Sequence, residues 1–543
     1  MVIPNGVTAI GDRAFADHKA LESVTIPPSV TKFGRDAFRG CDRLVGVFIT
    51  DLAAWCQLSF ECDNEPFGWS NDNPLWFAHN LYLNGMLVKD LEIPQGVTSI
   101  GNNAFRGCSC LTSVKIPDSV RSIGPGAFAA GTRDLSGNIA RIDVDGANRH
   151  YKSVNGLLLT KDGRTLVAVP VGLENATIPA GVVSIGDRAF ACCGRLSQLT
   201  IPNGVTSIGY NAFKVCRALV RIEIPPSMAK MAAFSFQYCD NLKEVHITDL
   251  AAWCQMSVHE FDPLLNHAGN LYLNGTLIKD IKVPDVVTRI GEHVFDGCTS
   301  LTSVTIPRSV DHIGAGAFVK CSNLVEFKVD NGNQHYKVQN GLLLTRDGRE
   351  LVAVPGGIGK VIIPNGVKII GYMAGQGCSK LVEVKVPDGV TQIWGHAFQD
   401  CKELSAVTIP DGVKGIGGYG AFGGCPRLAT ITIPGSVERI GGSVFSGSGL
   451  TNVIIQSGVK TIEGGAFNRT KLKTVTIPNS VTKIADAFIG CKSLESVMIP
   501  EGLTNIHERA FADCPKLLDA HGKPRLTRVP GTAEKTKSSR SAK

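Results

Sequence analysis

The sequence predicts a repeat solenoid built mainly from short β-strands, and three observations lead to this prediction. An Ile-Pro step returns about every 23 residues, for example at Pro202 and again at Pro225. The residues between these steps also repeat, as the segment IPNGVTSIGYNAFKVCRALVRIEIP from Ile201 to Pro225 illustrates. A fixed period of this length is typical of a solenoid, in which each repeat buries its apolar face against its neighbours.

One repeat shows why the chain should turn where it does. In LESVTIP, the apolar Val24 and Ile26 alternate with Thr25, which predicts a strand with one buried face. Pro27 has no amide hydrogen and ends the strand. A second short strand, VTxIG, follows and closes on a glycine suited to a corner. The segment GxxAFxxC then predicts one helical turn whose Ala, Phe and Cys point inward.

The cysteines follow the repeat and do not form pairs or clusters. Because one cysteine per turn at a constant position is typical of a small buried side chain, we expect buried free thiols and no zinc site. These cysteines lie three residues after the Phe of each repeat or its equivalent: Cys41, Cys108, Cys193, Cys216, Cys239, Cys298, Cys321, Cys378, Cys401, Cys425, Cys491 and Cys514.

The repeat resembles the BspA-like, or Treponema-type, leucine-rich repeat, whose pattern is LxxVxIPxxVxxIGxxAFxxCxx. The resemblance covers nearly everything from Ile3 to Leu518 outside the inserts, and it implies one leucine-rich repeat solenoid over residues 1–518. It also implies adhesion and protein binding at a bacterial or protist surface, or after secretion. The pattern is broken at Gly375, which replaces the Phe, and at Thr50 and Thr248, which replace the strand proline. After Pro434 the turns shorten to 22 residues, and two of them lose the Cys, so we expect altered curvature there.

Four inserts interrupt the repeats, at about residues 51–90, 145–175, 249–280 and 330–360. The first and third begin with ITDLAAWCQ and close on NLYLNG, whose Asn-Gly step predicts a hairpin with a type I′ turn. The second and fourth contain NG and DG turns in succession, which predict three-stranded meanders. The order of inserts returns after roughly 190 residues, which indicates that a block of turns was duplicated.

Aromatic residues in the first insert are candidates for a contact with a partner. Trp55 and Trp253 occupy the same place in both copies, within AAWC, and are expected to pack inside. The stretch DNEPFGWSNDNPLWF is largely absent from the second copy, and aromatics in a polar loop favour an exposed contact. The alternative is a loop that folds back on its own aromatics. The candidate partner-binding residues are Phe67, Trp69, Trp76 and Phe77.

A second candidate surface is the outward row of the strands that precede each Ile-Pro step. Threonine dominates this row and suits a pleated surface sterically, and the row lacks the aromatic platforms that bind sugars. It would serve an extended protein ligand through many weak contacts. The row comprises Thr25, Lys115, Thr200, Glu223, His246, Thr305, Lys328, Lys385, Thr408, Thr432 and Thr476.

Charge and motif searches exclude several function classes. Lys and Arg total 55 against 48 Asp and Glu, and most of this excess falls in residues 519–543, which predict a basic disordered tail. The nearly neutral body argues against specific nucleic-acid binding. No apolar run is long enough to predict a transmembrane segment. Gly415, Gly417 and Gly420 fit GxGxxG without its βαβ context, so no cofactor is predicted, and no metal site is predicted either.

These observations predict a non-enzymatic module that binds other proteins, on a host, a matrix or a neighbouring cell. The resemblance places it at a cell surface or outside the cell. An intracellular scaffold is the alternative, since Met1 leads directly into a repeat strand without a signal peptide and the cysteines are unpaired. A polysaccharide-cleaving enzyme would need paired carboxylates, and Asp63, Glu65 and Asp72 suggest no such pair.

Overall fold

The computed structural model describes residues 1–60, 72–131, 137–259, 263–518 and 524–529. Contacts divide the chain into two compact units, an N-terminal unit of Met1–Leu277 and a C-terminal unit of Ile278–Lys543. Each unit is a β-solenoid, and the chain contains about 21 turns in all, which confirms the predicted fold class. The single domain over residues 1–518 stays a prediction.

A regular turn contributes one strand to each of two parallel ladders. We call the strands that precede the Ile-Pro step the front ladder, and the strands that precede the corner glycine the side ladder. In the front ladder Leu199 pairs with Ile222, and in the side ladder Ile185 pairs with Ile208. Because each turn returns the chain in the same direction, neighbouring strands are parallel and offset by one repeat.

The front ladder includes the hairpins of the first and third inserts. In the N-terminal unit its strands are Ser23–Thr25, Gly46–Ile49, Leu81–Leu83, Met86–Leu87, Asp90–Glu92, Ser113–Ile116, Arg141–Val144, Gln198–Thr200, Arg221–Glu223, Glu244–Ile247, Leu271–Leu273 and Thr276–Leu277. In the C-terminal unit they are Asp280–Lys282, Ser303–Ile306, Glu326–Val329, Lys360–Ile362, Glu383–Lys385, Ala406–Thr408, Thr430–Ile433, Asn452–Ile455, Thr474–Thr476, Ser496–Pro500 and Leu526–Val529.

The side ladder includes the meanders of the second and fourth inserts. In the N-terminal unit its strands are Ala9–Ile10, Lys32–Phe33, Ser99–Ile100, Ser122–Ile123, Tyr151–Val154, Leu157–Thr160, Thr165–Ala168, Ser184–Ile185, Ser207–Ile208, Lys230–Met231 and Ser257–Val258. In the C-terminal unit they are Arg289–Ile290, His312–Ile313, Tyr336–Gln339, Leu342–Thr345, Glu350–Ala353, Ile369–Ile370, Gln392–Ile393, Gly415–Tyr419, Arg439–Gly442, Thr461–Ile462, Lys483–Ile484 and Asn505–Ile506.

The segment GxxAFxxC forms consecutive hydrogen-bonded turns and not an α-helix. Ala14 N donates to Gly11 O at 3.2 Å, three residues back. Arg13 and Asp17 have φ values of 53° and 60°, in the left-handed region, so a right-handed helix cannot continue through them. The α-helices that the structure describes all lie in the first and third inserts: Leu52–Cys56, Leu75–Ala78, Leu250–Gln255 and Leu264–Ala268. Within the described ranges, no helix combines the length and the apolar composition that crossing a bilayer requires.

Phenylalanine rings and cysteine thiols fill the core. Successive rings stack face to face, as between Phe213 and Phe236, whose centroids lie 4.9 Å apart. The predicted ladder cysteines are all buried, which confirms that prediction. Their thiols also have a polar role, since Cys239 Sγ donates to Phe213 O in the preceding turn at 3.1 Å. The same bond recurs along the chain, and the thiol adds a second hydrogen bond to a carbonyl that, as at Phe213 O, also accepts a hydrogen bond from a backbone amide of its own turn.

The hairpins and meanders form as predicted. Asn84 and Gly85 have φ values of 51° and 82°, and positive φ at both central residues defines the type I′ turn. In each meander the last strand joins the side ladder in parallel, through Leu166 with Ile185 in the N-terminal unit. The meander therefore takes the place of one side-ladder strand.

The last turns confirm the shorter period and correct the predicted tail. Thr461 pairs with Lys483, an offset of 22 residues. Buried Ser448 and Thr470 occupy the positions of the two missing cysteines. Residues 519–543 were predicted to be disordered, but Leu526–Val529 pairs in parallel with the strand Ser496–Pro500. The apolar Leu526 at the start of this strand explains why it joins the ladder despite its basic neighbours.

Candidate interaction surfaces

The outward row of the front ladder is exposed or partly exposed, as predicted, except at His246. Neighbouring turns tie its polar groups together. Thr200 Oγ1 donates to Glu223 Oε2 at 2.7 Å, and Arg221 Nη2 bonds the other carboxylate oxygen at 3.1 Å. The first bond joins neighbouring strands and the second lies within one strand, and together they hold these side chains in position while leaving them accessible.

His246 is buried because a tyrosine covers it. His246 as a whole residue is only 6% exposed, and the Tyr272 ring stacks on its ring with centroids 4.5 Å apart. Its Nε2 lies 2.9 Å from a carboxylate oxygen of Glu244. The prediction that His246 is exposed is therefore wrong, since the hairpin of the third insert places Tyr272 directly opposite it.

A matching aromatic pair lies beside the first insert. Phe48 and Tyr82 stack with centroids 4.4 Å apart, and both side chains are partly exposed. The front row therefore does carry aromatic platforms, contrary to the sequence prediction. The signal was the tyrosine of NLYLNG, which is present in both inserts and falls opposite the outward residue of the preceding strand.

Two equivalent carboxylates on the front ladder act as local ties. Asp280 accepts hydrogen bonds from the hydroxyls of Ser303 at 2.6 Å and Thr302 at 2.8 Å. These bonds stabilise the charged form and lower the pKa of Asp280 below its ordinary value. Asp90 has the same arrangement and the same direction of pKa shift. These carboxylates already have partners, which makes them poor candidates for binding groups.

The aromatics of the first insert are only partly described. Phe67 and Trp69 lie outside the described residues. Trp76 and Phe77 are 7% and 6% exposed and belong to the helix Leu75–Ala78. The prediction that these two present an exposed contact is therefore wrong, and the alternative, folding back, describes them.

Hydrogen bonds explain why Trp76 and Phe77 turn inward. Asn73 Nδ2 donates to Asn103 O in the next turn at 2.8 Å, and Asn73 Oδ1 accepts from Leu75 N at 2.9 Å. These bonds fix the start of the helix against the solenoid. The guanidinium of Arg106 then covers the Trp76 ring, 4.6 Å from its centroid.

The tryptophans shared by both copies pack inside, as predicted. Trp55 and Trp253 are both buried. Trp55 Nε1 donates to Ala104 O at 3.1 Å, which joins the helix Leu52–Cys56 to a later turn. These residues hold the inserts in place and offer no surface to a partner.

Sequence reasoning missed a cavity beside the second meander, inside the C-terminal unit. Residues 314–319, the strand Glu350–Ala353 and residues 371–376 line it, and its volume is about 180 Å³. The equivalent space in the N-terminal unit, between residues 124–129 and 167–169, measures only about 10 Å³. The two meanders thus share a backbone arrangement, and only the second encloses a cavity large enough for a ligand group.

An acidic residue and two aromatic residues also line this cavity. They are Glu350, Tyr372 and Trp394, and Tyr372 and Trp394 are 37% and 39% exposed. Burial raises the pKa of Glu350, and the nearby charge of Asp347 adds to the effect. The sequence signal was IWG in place of the usual IG at Ile393, where tryptophan occupies a glycine position.

One cysteine pair departs from the ladder pattern. Cys108 Sγ and Cys110 Sγ lie 3.4 Å apart, and Cys110 is partly exposed. The hydrogen bond from Cys108 lowers the pKa of Cys110 to about 7. The pKa of Cys491 is also lowered to about 7, but Cys491 is buried, so Cys110 is the more accessible of these two thiols to a reagent. In the same residues no three His, Cys, Asp or Glu side chains converge as a metal site would require.

Comparison with known proteins identifies the repeat. A family model described as the BspA type leucine-rich repeat region matches six times, over residues 1–64, 78–140, 170–254, 266–340, 357–469 and 418–533. No curated protein matches the chain.

Several solved structures are similar to the chain at low identity. A leucine-rich repeat protein from Eubacterium ventriosum is 22% identical, with 62% of this chain and 73% of that chain covered and a TM-score of 0.36. A leucine-rich cell surface protein from Faecalibacterium prausnitzii is 23% identical, with 70% and 95% covered and a TM-score of 0.36. The pneumococcal vaccine antigen PcpA is 13% identical, with 79% and 87% covered and a TM-score of 0.29. The assignment depends on the repeat match, which spans most of the sequence: the chain belongs to the BspA-type leucine-rich repeat family.

Proposed function

We propose that this chain is a non-enzymatic protein-binding module that mediates adhesion at a cell surface. The observation that supports this most directly is the front ladder, a long row of ordered and accessible side chains. The chain belongs to a leucine-rich repeat family, and the fold of this family generally serves protein interaction. The partner would be a protein of a host, a matrix or a neighbouring cell.

The geometry of the front ladder suits an extended protein ligand. Neighbouring strands in a sheet lie about 4.8 Å apart, so equivalent side chains recur at short and regular intervals. Binding energy in protein interfaces concentrates in a few residues, with tyrosine and tryptophan enriched among them. The stacked pair of Phe48 and Tyr82 and the Tyr272 ring that covers His246 are therefore the best candidates for anchors on this face.

The test is binding of the purified chain to intact cells and to matrix proteins. We expect Tyr82→Ala and Tyr272→Ala to weaken binding at least tenfold when combined, since an anchor is worth about 2 kcal/mol or more. Tyr419→Ala is the matched control, because Tyr419 is 71% exposed and lies on the side ladder. Absence of binding by the correctly folded wild-type chain would contradict the proposal.

The first insert remains a second contact surface within the same proposal. Phe67 and Trp69 keep their predicted role, whereas Trp76 and Phe77 are too buried to contact a partner without rearrangement. A Phe67→Ala, Trp69→Ala variant in the same assay separates the two surfaces. Loss of binding in this variant, with full binding by the Tyr82 and Tyr272 variant, would assign the contact to the insert.

An intracellular scaffold is the alternative function, and the free thiols favour it. No disulfide bond joins any of the described cysteines, a state typical of reducing compartments. Protease treatment of intact source cells, followed by detection of the chain, distinguishes the two locations. If protease treatment lowers the amount of intact chain relative to untreated cells, the chain lies at the cell surface. If the amount is unchanged, the chain lies inside the cell, as the scaffold function requires.

A further inference from the structure

We propose that the cavity beside the second meander is an anchor pocket for an arginine side chain of a partner protein. The inference depends on the proposed protein-binding function only for the source of the arginine. The pocket itself follows from the cavity, the carboxylate of Glu350 and the aromatic side chains of Tyr372 and Trp394 that line it. All of its residues lie within the C-terminal unit.

The cavity lies where the meander interrupts the side ladder. The strand His312–Ile313 pairs with Arg289–Ile290 alone, and the next sheet begins at Tyr336–Gln339. The turn after Ile313 is therefore not followed by an ordinary turn that would pack against it. The space left, about 180 Å³, exceeds the roughly 150 Å³ of a cavity known to bind benzene, so it can hold the end of a large side chain.

One acceptor group of the cavity lacks a cationic partner. Glu350 forms no ion pair with any described residue, and Asp347, a like charge, is the neighbour that acts on it. Its side chain lines the cavity, and the residue is partly exposed. A cationic group with several N–H donors would pair with this carboxylate.

The aromatic side chains add a surface for the same cation. Trp394 occupies a position that faces the preceding turn, since at the equivalent Gly417 a Cβ would lie 2.3 Å from Gly395 N. The indole is therefore directed back toward residues 371–376 and lines the cavity together with Tyr372. A planar guanidinium stacks on such rings, and its positive charge is attracted to their faces through a cation–π interaction.

The N-terminal unit shows which side chain fits this space. Arg188 occupies the position of Met373, and both residues have a φ of 58°. Arg188 lines the equivalent space, and its Cδ lies 3.1 Å from where a Cβ on Gly126 would be. That space is nearly closed. The stem of an arginine of the chain itself thus lines the first site, although the residue as a whole is partly exposed, and the buried Met373 stands at this position in the second site.

Other differences between the copies change the chemistry of the second site. Thr165 of the first meander is replaced by the acidic Glu350, and Gly209 of the neighbouring turn by Trp394. Asp187 is replaced by Tyr372, and Phe190 by Gly375, which removes a carboxylate and a ring. The lining of the second site thus combines one carboxylate with the aromatic side chains of Tyr372 and Trp394, a set that suits a cation supplied from elsewhere.

The direct test titrates the full chain with N-acetyl-L-arginine amide and follows binding by NMR. N-acetyl-L-citrulline amide, which has the same shape without the charge, is the control ligand. We expect saturable binding of the arginine probe and at least tenfold weaker binding of citrulline. Glu350→Gln should weaken arginine binding about tenfold or more, because a charge-assisted bond is lost. Trp394→Gly, which restores the residue of the first copy, should weaken it a few-fold.

Matched variants separate the pocket from general electrostatics. Asp388→Asn removes one negative charge from an exposed corner that does not line the cavity, and it should leave the affinity unchanged. Met373→Arg places an arginine of the chain itself beside Glu350, at the position that Arg188 has in the first unit, and it should abolish probe binding. Unchanged thermal unfolding of each variant verifies that the fold persists.

Two outcomes would overturn the proposal. They are the absence of saturable binding by the wild-type chain, and equal binding by the Met373→Arg variant. Neither outcome contradicts the proposed role of the front ladder, because the cell-binding assay with Tyr82 and Tyr272 variants tests that surface separately. Conversely, probe binding without any binding to cells or matrix proteins would retain the pocket and remove the proposed function.

Discussion

Replacing Phe445 with alanine removes one ring from the middle of a stack that runs through the C-terminal turns. The Phe445 side chain is completely buried. Its centroid lies 5.8 Å from that of Phe422 and 5.5 Å from that of Phe467, and both pairs are nearly parallel. The substitution therefore tests whether these rings hold adjacent turns together.

The expected cost follows from the size of the buried group. Phenylalanine to alanine substitutions in protein cores destabilise by about 3 to 5 kcal/mol. Of this, each of the two ring contacts contributes roughly 0.5 to 1.5 kcal/mol beyond simple burial. Since each 1.4 kcal/mol is a factor of ten, the equilibrium for local opening should rise by about two to four powers of ten.

Hydrogen exchange measured by mass spectrometry on the full chain provides the readout. In a repeat protein each turn contacts only its neighbours, so the loss of protection should centre on peptides that contain residues 421–490. Phe445→Leu, which keeps most of the volume, should show a smaller effect. Tyr419→Ala, at an exposed ring, should leave exchange unchanged.

Two results would refute this reasoning. Unchanged protection in Phe445→Ala would show that the rings fill space without coupling the turns. An equal loss of protection in peptides of Met1–Leu277 would show that the chain unfolds as one cooperative body, which contradicts nearest-neighbour coupling.

Two further predictions concern titratable groups. Iodoacetamide should alkylate Cys110 before the buried thiols, with a rate that rises with pH and half-saturates near its pKa of about 7, and Cys108→Ala should shift that midpoint upward because the stabilising hydrogen bond is lost. NMR titration should place the pKa of Asp280 below its ordinary value, and Ser303→Ala should raise it. Because the folded pKa is lowered, the contribution of Asp280 to stability is present above the unfolded pKa and is lost as pH falls through the folded one.

The repeated turn could be predicted because each of its rules is local. Proline ends a strand wherever it falls, alternation buries one side of the strand, and Asn-Gly favours a type I′ turn. Repetition then aligns equal residues of adjacent turns, so the burial of Phe213 or Cys239 follows from sequence position alone. The hydrogen bond from Cys239 to Phe213 O did not follow, since it depends on the exact path of the preceding turn.

The contacts of the inserts could not be predicted, because they depend on which residue the insert places opposite which turn. Tyr272 covers His246 only because the hairpin resumes the front ladder in register with the preceding strand. Trp76 is buried because Asn73 bonds a carbonyl of the next turn. Neither relation is visible in a window of sequence, although the tyrosine shared by both NLYLNG segments was a usable signal.

The duplication indicates where specificity can arise in such a chain. Residues that pair within a ladder, such as Ile185 and Ile370 in the side ladder, are alike in both copies because any change there disturbs two neighbouring turns. Arg188 and Met373 lie in the turn after a meander, and their amides donate to the equivalent carbonyls of the next turn, Tyr210 O and Gly395 O. The backbone is therefore held in the same way in both copies, and the side chain can differ without loss of the fold. The different size of the two spaces thus arises from such side-chain changes and not from the meander itself.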